Sequence, residues 1–384
     1  MAEAESAPCL LGLATASGLP LFCRPPRPQV PFSLVGALHG VHLFGAAAGA
    51  ELREAATPTA HLAWAGYGNS ITLILLSPSP TPSPARILDS AFGAMVLVLG
   101  LDELVPVRNV ERLKRDLRSC FGLLDAILSP GGGGALGPPH CPLPPPGPRE
   151  ALQERLERFA GSAQTDLAGL VLGGGGAVLG TARWGALSGP DSAQLRALLR
   201  PPPGGALGPG ARDLPLFLPN GSPRVPHRLL LLPLLPGVGV ALLCGPRPSL
   251  QHLLTQLVPQ FWAPVLEQLR GLARPRPPPL PPEVLGYLLI HQGQTQSRIL
   301  KGAGQAAADA LRHLYTLLAP QYCPDLGGRG PPRGARLCYL ALPSLTGCCL
   351  LRPELLLLLL LPPGTPRQPL QATARSALSA LGQL

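Results

Sequence analysis

The sequence predicts an α+β protein of three domains of similar size, each a five-stranded antiparallel sheet sandwiched by helices. Two observations support this: the order of strand pair, helix, further strands and helix occurs three times, and the 46 Gly and 51 Pro residues concentrate between the repeats. The length of 384 residues exceeds the roughly 100–200 residues of one domain, and a layered fold buries every apolar run. We expect domains at residues 1–129, 149–273 and 283–384, with linkers at 130–148 and 274–282.

The first domain opens with a hairpin, because two apolar runs flank the turn residues Ser17 and Gly18. Apolar residues then recur at spacings of three and four over Phe32–Phe44, which predicts a short amphipathic helix. Arg86–Leu101 is apolar on nearly every side, so this helix is predicted to be buried. The full set is strands at Cys9–Ala14, Leu19–Arg24, His61–Trp64 and Ile71–Leu76, and helices at Phe32–Phe44, Arg86–Leu101 with Ser83 as cap, and Val110–Leu128 with Asn109 as cap.

The second domain repeats this order after an additional helix at Ala151–Ala160. Gly173–Gly176 is a glycine loop, but no Gly-Lys-Ser/Thr follows it, so a hairpin turn is favoured over a phosphate-binding loop. The predicted strands are Leu167–Leu172, Val178–Trp184, Leu214–Leu218, Leu229–Leu235 and Val238–Cys244, and the helices are Asp191–Leu199 and Leu250–Leu272, the latter interrupted near Pro259 and Pro264.

The third domain is rich in leucine. Its run of seven leucines, Leu355–Leu361, lies between Glu354 and Pro362 and is far shorter than the ~20 residues that span a bilayer, so a buried strand is predicted. The other predicted elements are strands at Val284–His291, Ser297–Lys301, Leu337–Leu342 and Gly347–Leu351, and helices at Ala306–Leu318 and Leu370–Leu384.

The formal charge of +10 comes almost entirely from arginine, since Lys114 and Lys301 are the only lysines. Because the arginines accompany abundant Ala, Gly and Pro, a coding bias toward these four residues explains the charge without selection for an anionic ligand. Aromatic residues make up 4% of the chain and are not interleaved with the arginines as stacking on single strands requires. We therefore expect no nucleic-acid partner.

No pattern in the sequence indicates catalysis, a cofactor or a metal. The nine cysteines include no C-x-x-C pair, and the adjacent Cys348 and Cys349 are expected to be reduced thiols on opposite faces of a strand. His39 and His42 share a helical face but have no acidic third ligand nearby, so packing or interface roles are favoured over metal binding. No G-x-S-x-G elbow occurs. The acidic N-terminus does not resemble a signal peptide, and a cytosolic chain is expected.

Two groups of residues are candidates for partner binding. The helix at Phe32–Phe44 is apolar enough to serve either as core or as interface. The helix after Asn109 carries a basic face with Glu111 and Asp116 interleaved, which suits a solvated surface, a phosphoinositide membrane surface or an acidic partner. The candidate residues are Phe32, Leu34, His39, His42 and Phe44 in the first group, and Arg108, Arg112, Lys114, Arg115 and Arg118 in the second.

Several long, unusual strings occur in the first two predicted domains. They are Gly18–Arg24, Pro31–Gly45, Asn69–Ser77, Phe92–Leu104 and Val107–Arg118 in the first, and Leu218–Leu230 and Leu242–Leu250 in the second. These strings resemble the Fuzzy family of planar cell polarity and ciliogenesis effectors, whose three longin-like domains are similar to those of the Mon1 and Ccz1 exchange factor. The resemblance is weakest in the linkers and the third domain.

The resemblance implies a role in a protein complex rather than in chemistry. It implies pairing with Inturned through longin domains, association with the WD-repeat effector Fritz, and binding of a Rab-type small GTPase. An exchange factor works by preferring the nucleotide-free GTPase, which needs no catalytic residues. The resemblance also implies cilium assembly, intraflagellar transport and Hedgehog signalling, with a location in the cytoplasm, the cytoskeleton and the ciliary basal body. An adaptor that recruits a GTP-bound GTPase without exchange activity is the alternative.

Overall fold

A computed structural model describes residues 8–26, 30–78, 84–128, 149–172, 177–199, 210–273, 280–291, 294–299, 307, 310–311, 314, 337–341, 345–352 and 355–381. Three five-stranded sheets follow one another along these residues. In each sheet the first two strands form a hairpin at one edge, and the fifth strand lies between the first and the fourth. The predicted α+β class with three layered sheets is confirmed.

The first sheet has the strand order β2-β1-β5-β4-β3. Neighbouring strands pair antiparallel, with β1 central enough that all of its residues are buried. The short β3 was not predicted, because its three residues Glu-Ala-Ala are half or fully exposed and show no apolar alternation. The strands are β1 (Cys9–Ala14), β2 (Pro20–Arg24), β3 (Glu54–Ala56), β4 (His61–Tyr67) and β5 (Ile71–Ser77).

Helices cover both faces of this sheet. One face holds α1 (Phe32–Ala47), through a core cluster of Val35 and Leu38 with residues of β1, β4 and β5. The helices α2 (Pro84–Leu99), α3 (Leu101–Leu104), α4 (Val110–Asp116) and α5 (Phe121–Leu128) follow, with a 3₁₀ turn at Leu117–Cys120 joining the last two. As predicted, α2 is buried on most sides and the Asn109 side chain caps α4.

The second sheet has the order β7-β6-β10-β9-β8. Its core joins strand residues to α6 and to the helix after β10, with the rings of Phe159 and Trp262 5.6 Å apart. The elements are α6 (Arg149–Ser162), β6 (Leu167–Leu172), β7 (Ala177–Gly180), α7 (Ala182–Gly185), α8 (Gly189–Leu199), β8 (Arg212–Leu218), β9 (Ser222–Leu235), β10 (Val238–Cys244), α9 (Leu250–His252), a π turn (Leu253–Leu257), α10 (Val258–Trp262), a 3₁₀ turn (Ala263–Val265) and α11 (Leu266–Ala273).

The predicted strand at Val178–Trp184 is wrong at its end. The strand stops at Gly180, and the Thr181 hydroxyl accepts a hydrogen bond from the Trp184 N–H to start the single turn α7. The Trp184 ring then folds back over the sheet, where a Cβ at Gly169 or Gly180 would lie within 2.8 Å of it. Two glycines therefore make room for an indole that was expected to lie in the strand.

The third sheet has the order β12-β11-β15-β14-β13. The leucine run is β15, and every one of its residues is buried, which confirms the predicted strand. Cys348 and Cys349 fall into core clusters on opposite faces, as their adjacency predicted. The elements are β11 (Gly286–His291), β12 (Gln294–Ile299), β13 (Leu337–Ala341), β14 (Thr346–Arg352), β15 (Leu355–Leu361) and α12 (Leu370–Ala380).

Some predicted features lie outside the described residues: the Ser83 cap, the loop Gly173–Gly176, Lys301 and most of the helix Ala306–Leu318. Within that helix, positions 307, 310, 311 and 314 are described and are helical. The predicted helix Leu370–Leu384 ends earlier, at Ala380.

The chain divides into two compact units. The first contains residues 1–135 together with 190–197 and 215–227, and the second contains residues 136–189, 198–214 and 228–384.

The α2 helix ends at Leu99, one residue before Gly100, and not at Leu101 as predicted. Gly100 has a φ of +80°, and a Cβ there would lie 2.8 Å from the Phe217 ring. The backbone conformation and this close contact both favour glycine and end the helix.

Candidate partner-binding surface

The first helix, α1, leaves most of its apolar side chains in solvent. Only Val35, Leu38 and His39 are buried along its 16 residues. Phe32 is 71% exposed and Phe44 is 78% exposed, and Leu34, Val41 and Leu43 are also exposed. An exposed apolar surface of this kind marks an interaction site more often than a solvated face. We call these five residues, Phe32, Leu34, Val41, Leu43 and Phe44, the α1 apolar surface.

The sequence cause of this surface is the composition of α1. The helix contains no charged residue, so it has no polar side to turn toward water. Its buried stripe needs only Val35 and Leu38, which pack on Leu11, Leu13 and Trp64 of the sheet. All other apolar residues are therefore left facing outward. The predicted amphipathic stripe is thus narrower than expected, because Phe32 and Leu43 do not join the core.

His39 attaches α1 to the end of β1. It is buried, and its Nε2 lies 2.8 Å from the Thr15 carbonyl oxygen. Its ring also lies against Gly18, where a Cβ would come within 2.6 Å of Nδ1. Gly18 has a φ of +67°, so both the turn and the ring contact favour glycine. His39 thus faces the interior of the domain, unlike the exposed members of its predicted group.

His42 lies one turn further along α1 and is half-buried. Burial lowers the pKa of its imidazole below the usual 6.5, and the neighbouring His39 lowers it further, while Glu51 acts in the opposite direction. Its Nδ1 is buried and has no hydrogen-bond partner among the residues that the structure describes. The ring is therefore held neutral near pH 7.

A shallow cavity of about 230 Å³ lies at the start of α1. It is lined by residues of the β1–β2 hairpin and of the start of the helix, and these mostly apolar residues suit a hydrophobic side chain of a partner. The lining residues that define it are Leu11, Leu21, Phe22, Val30, Phe32 and Val35. The cavity extends the α1 apolar surface at its N-terminal end through the shared Phe32.

The edge strand β3 offers backbone groups beside this helix. It pairs on one side with β4 and is the last strand in the sheet order. Ala55 of β3 packs against the core cluster that contains Val35 and Leu38 of α1. A short edge strand next to an apolar helix is a suitable template for strand addition by another chain.

The basic group lies on α4 and its flanks. Asn109 caps the helix by accepting a hydrogen bond from the Arg112 N–H at 2.9 Å. Arg112 pairs with Glu103 and with Asp116, both at 3.4 Å, and Lys114 pairs with Glu111 at 2.9 Å. Such exposed pairs contribute little stability. They do reduce the charge that α4 presents to a ligand.

The remaining three basic residues, Arg108, Arg115 and Arg118, are exposed. None of them forms a salt bridge with a residue in the described part of the first unit. The interleaved acids thus neutralise only part of the predicted basic face. These salt bridges agree with a solvent-exposed face on α4, and the three exposed arginines remain available to an acidic ligand.

The two predicted groups lie on opposite faces of the first sheet. Successive residues of β2 point to alternate faces. Cys23 joins the core cluster beneath α1. Phe22 and Arg24 point the other way, to α5, where Arg24 Nε donates to Asp125 at 2.8 Å and the Phe22 and Phe121 rings are 6.1 Å apart. Because α4 leads into α5, the basic group belongs to the face away from α1.

Sequence reasoning missed Val41 and Leu43 as members of the exposed surface. The signal was present, since both lie in an uncharged helix whose apolar residues exceed what one stripe can bury. Among the described residues, no group of three His, Cys, Asp or Glu side chains is placed to hold a metal ion. No described helix is both long and apolar enough to cross a bilayer.

Comparison with known proteins agrees with this architecture. Residues 9–127 match a family described as the "first Longin domain of FUZ, MON1 and HPS1". The chain is 40% identical to the protein fuzzy homolog of Mus musculus, over 98% of this chain and 97% of the relative. The chain belongs to the Fuzzy family.

Other comparisons extend the match across the molecule. Residues 162–263 match the "second Longin domain of FUZ, MON1 and HPS1". The chain is 39% identical to the protein fuzzy homolog of Homo sapiens, over 98% of this chain and 97% of the relative, and 35% identical to that of Xenopus tropicalis, over 98% of each. The first two sheets are therefore longin domains of the Fuzzy type, and the third sheet repeats their strand order.

Proposed function

We propose that this member of the Fuzzy family is a non-catalytic subunit of a planar cell polarity effector complex. It pairs with Inturned through longin domains and engages a Rab-type small GTPase, whose nucleotide exchange the pair promotes. The complex includes Fritz and acts at the basal body, where it supports cilium assembly, intraflagellar transport and Hedgehog signalling. Family membership supports this assignment, and the exposed surface of α1 supplies a place for the protein contact.

The observation that carries the proposal is the α1 apolar surface. Phe32 and Phe44 are largely exposed at the two ends of the helix. Burying a phenylalanine side chain stabilises a complex by about 1.5–3 kcal/mol. A partner that covers both rings therefore obtains enough binding free energy for a specific contact. The adjacent edge of β3 adds backbone hydrogen bonds to such a contact.

The pairing step is tested by co-expression with Inturned and size-exclusion chromatography. Phe44→Asp places a charge at the most exposed ring of α1, and we expect it to weaken pairing by about tenfold or more. Leu254→Asp is the matched control, because Leu254 is also an exposed apolar residue in a helical segment, but lies outside α1. Equal pairing by both variants would contradict a role for α1.

The exchange step is tested separately, by nucleotide release from a panel of Rab GTPases with the purified pair. Acceleration for one GTPase and its loss in the arginine variant R108E/R115E/R118E would place the GTPase on the α4 face. Acceleration that is lost only with Phe44→Asp would place it on α1. No acceleration with any GTPase removes the exchange claim and leaves the pairing claim intact.

The adaptor function is distinguished by nucleotide preference. An exchange factor binds the nucleotide-free GTPase more tightly, whereas an adaptor binds the GTP form. Measuring the affinity of the chain for the two forms of one GTPase therefore decides between the two functions.

Binding to a phosphoinositide membrane surface is tested with vesicles. Loss of vesicle binding in R108E/R115E/R118E, but not in Arg112→Glu, would assign the contact to the three arginines that form no salt bridge with a described residue.

A further inference from the structure

The outer side of α2 is covered by two segments that are distant in sequence. Residues 190–197 and 215–227 belong to the same compact unit as residues 1–135. Gln194 is buried, and its Nε2 donates a hydrogen bond of 2.7 Å to the Ser90 carbonyl oxygen in α2. A Cβ at Gly93 would lie 3.2 Å from the same Nε2. The contact is therefore close and specific.

The β8–β9 turn makes the second half of this contact. Phe217 lies against Gly100 at the end of α2. Arg224 Nε pairs with Asp102 Oδ1 of α3 at 3.2 Å. Because both interactions come from the strands that flank the turn, the position of the turn decides whether the α2–α3 junction is covered.

A buried carboxylate holds the turn in place. Asp191 is 1% exposed, and its Oδ1 accepts a hydrogen bond from the Asn220 N–H at 3.0 Å. Its Oδ2 accepts one from the Gly221 N–H, also at 3.0 Å. Hydrogen bonds to an ionised acceptor are among the stronger ones. The turn is thus anchored by a negative charge close to residues 220 and 221, and we call this arrangement the Asp191 latch.

The residue after the latch is a serine followed by proline. Ser222 starts β9, is half-buried, and has its Oγ 2.6 Å from Nε2 of His227. Asn220, Gly221 and Arg224 around it are exposed, so the turn lies at the surface. A serine before proline in an exposed turn is the local sequence that proline-directed protein kinases modify.

We propose that Ser222 is a phosphorylation site for a proline-directed kinase, and that the phosphate opens the Asp191 latch and uncovers α2. In the reaction, Ser222 Oγ attacks the γ-phosphorus of ATP, the bond from that phosphorus to the β–γ bridging oxygen breaks, and ADP leaves. The hydroxyl proton passes to the base of the kinase.

The effect of the phosphate follows from charge. It carries about −1.5 to −2 at pH 7, one residue away from the N–H that Asp191 holds. Like charges at this separation repel each other. Ser222 and Arg224 also lie two apart in a strand and share a face. The phosphate therefore attracts Arg224 away from Asp102, so that both anchors of the turn are weakened together.

Other Ser-Pro and Thr-Pro pairs provide an internal control. The sequence has them at Thr57, Ser77, Ser79, Thr81, Ser83, Ser129 and Thr365 as well. A full-length variant with alanine at six of these sites directs the kinase to Ser222, since the seventh, Ser77, is buried. The six are Thr57, Ser79, Thr81, Ser83, Ser129 and Thr365. Modification at any of these six sites in the unchanged chain shows that the kinase is active.

The test combines mass spectrometry with hydrogen exchange on the full chain. After treatment with a mitogen-activated protein kinase and ATP, we expect phosphate on Ser222 and about tenfold faster exchange at residues 84–104 and 215–227. Ser222→Ala should show neither change. Ser222→Glu should reproduce part of the faster exchange without the kinase, and Asp191→Asn should do so through the latch itself.

Two results would overturn the proposal. One is an unmodified Ser222 in a sample in which the control sites are phosphorylated. The other is a stoichiometric phosphate on Ser222 with unchanged exchange at residues 84–104. Because neither measurement involves Inturned or a GTPase, the proposal stands or falls independently of the function proposed above.

Discussion

At the scale of single residues, the position of α1 on the first sheet depends on the hydrogen bond that His39 makes to the end of β1. His39 bridges to the Thr15 carbonyl, and Gly18 leaves room for its ring. The hydroxyls of Thr15 and Thr72 are also 2.9 Å apart and buried, which fixes the end of β1 against β5. A small change at this point therefore affects the whole α1 apolar surface.

Gly18→Ala should be more destabilising than an alanine at another glycine with positive φ. The new Cβ would meet His39 Nδ1 at 2.6 Å in addition to the backbone strain, so we expect a loss of about 2–3 kcal/mol of unfolding free energy. Gly49→Ala is the control, because Gly49 has a φ of +74° with nothing within 4 Å, and should cost about 1 kcal/mol. Urea denaturation measures both, and equal losses would contradict the contact.

His42 should make the stability depend on pH. Its pKa in the folded chain lies below the ordinary 6.5 because of burial and His39. Below pH 6.5 the unfolded chain therefore binds more protons, so stability is present above this pH and is lost as pH falls toward the folded pKa. His42→Gln should reduce the slope of unfolding free energy between pH 7 and 5. Some slope remains, because burial also lowers the pKa of His227, and an unchanged slope would contradict this role of His42.

At the scale of elements, apolar patterning and side-chain capping account for the bounds of two elements, the strand β15 and the helix α4. The leucine strand β15 is buried on both faces because helices lie on both sides of it, as its two core clusters indicate. The α4 helix starts at Asn109 by side-chain capping. Each of these features permits a direct test.

Asn109→Ala should cost about 1 kcal/mol of stability by leaving the Arg112 N–H without its cap. Asn109→Asp keeps an accepting oxygen and should retain most of the stability. Thermal unfolding of both variants measures the difference. If the two substitutions were equally destabilising, the cap would not be the cause.

Leu358→Ala should cost about 2–5 kcal/mol, because Leu358 is fully buried and the substitution leaves a cavity. Leu340→Ala serves as the control, since Leu340 is partly exposed on the edge strand β13 and should change stability by less than about 0.5 kcal/mol. Denaturant unfolding, followed by exchange at residues 286–291 and 355–361, localises the effect to the third sheet.

At the scale of the whole molecule, three sheets leave six edge strands in the sheet orders that the structure describes. Unprotected edges and an apolar helix surface both favour association with other chains. The pairing proposed above would cover such features, so the chain is expected to be poorly soluble alone.

The isolated chain should therefore self-associate in size-exclusion chromatography in the absence of Inturned. The double variant F32E/F44E should shift the profile toward the monomer, because it places charges at both ends of the α1 apolar surface. Leu254→Glu should leave the profile unchanged. A monodisperse monomer for the unmodified chain would show that the α1 apolar surface does not drive self-association.

Sequence periodicity determined most of the element types. β1, β6, β10 and β15 have the predicted bounds, because short apolar runs between turn residues leave few alternatives. The exposed β3 carried no such signal, and the end of β7 was decided by the Thr181 cap and the Trp184 ring. The basic face of α4 was visible in the sequence, whereas its salt bridges depended on side-chain geometry.

What the sequence alone determined is the threefold α+β pattern, since alternation and helical spacing are local properties. Only the tertiary structure decided which apolar residues of α1 remain exposed. Val35 and Phe44 are both apolar, yet one lies on the sheet and the other points to solvent. The reason is geometric: a sheet face buries one stripe of a helix, and the register of α1 on β1 and β4 selects that stripe.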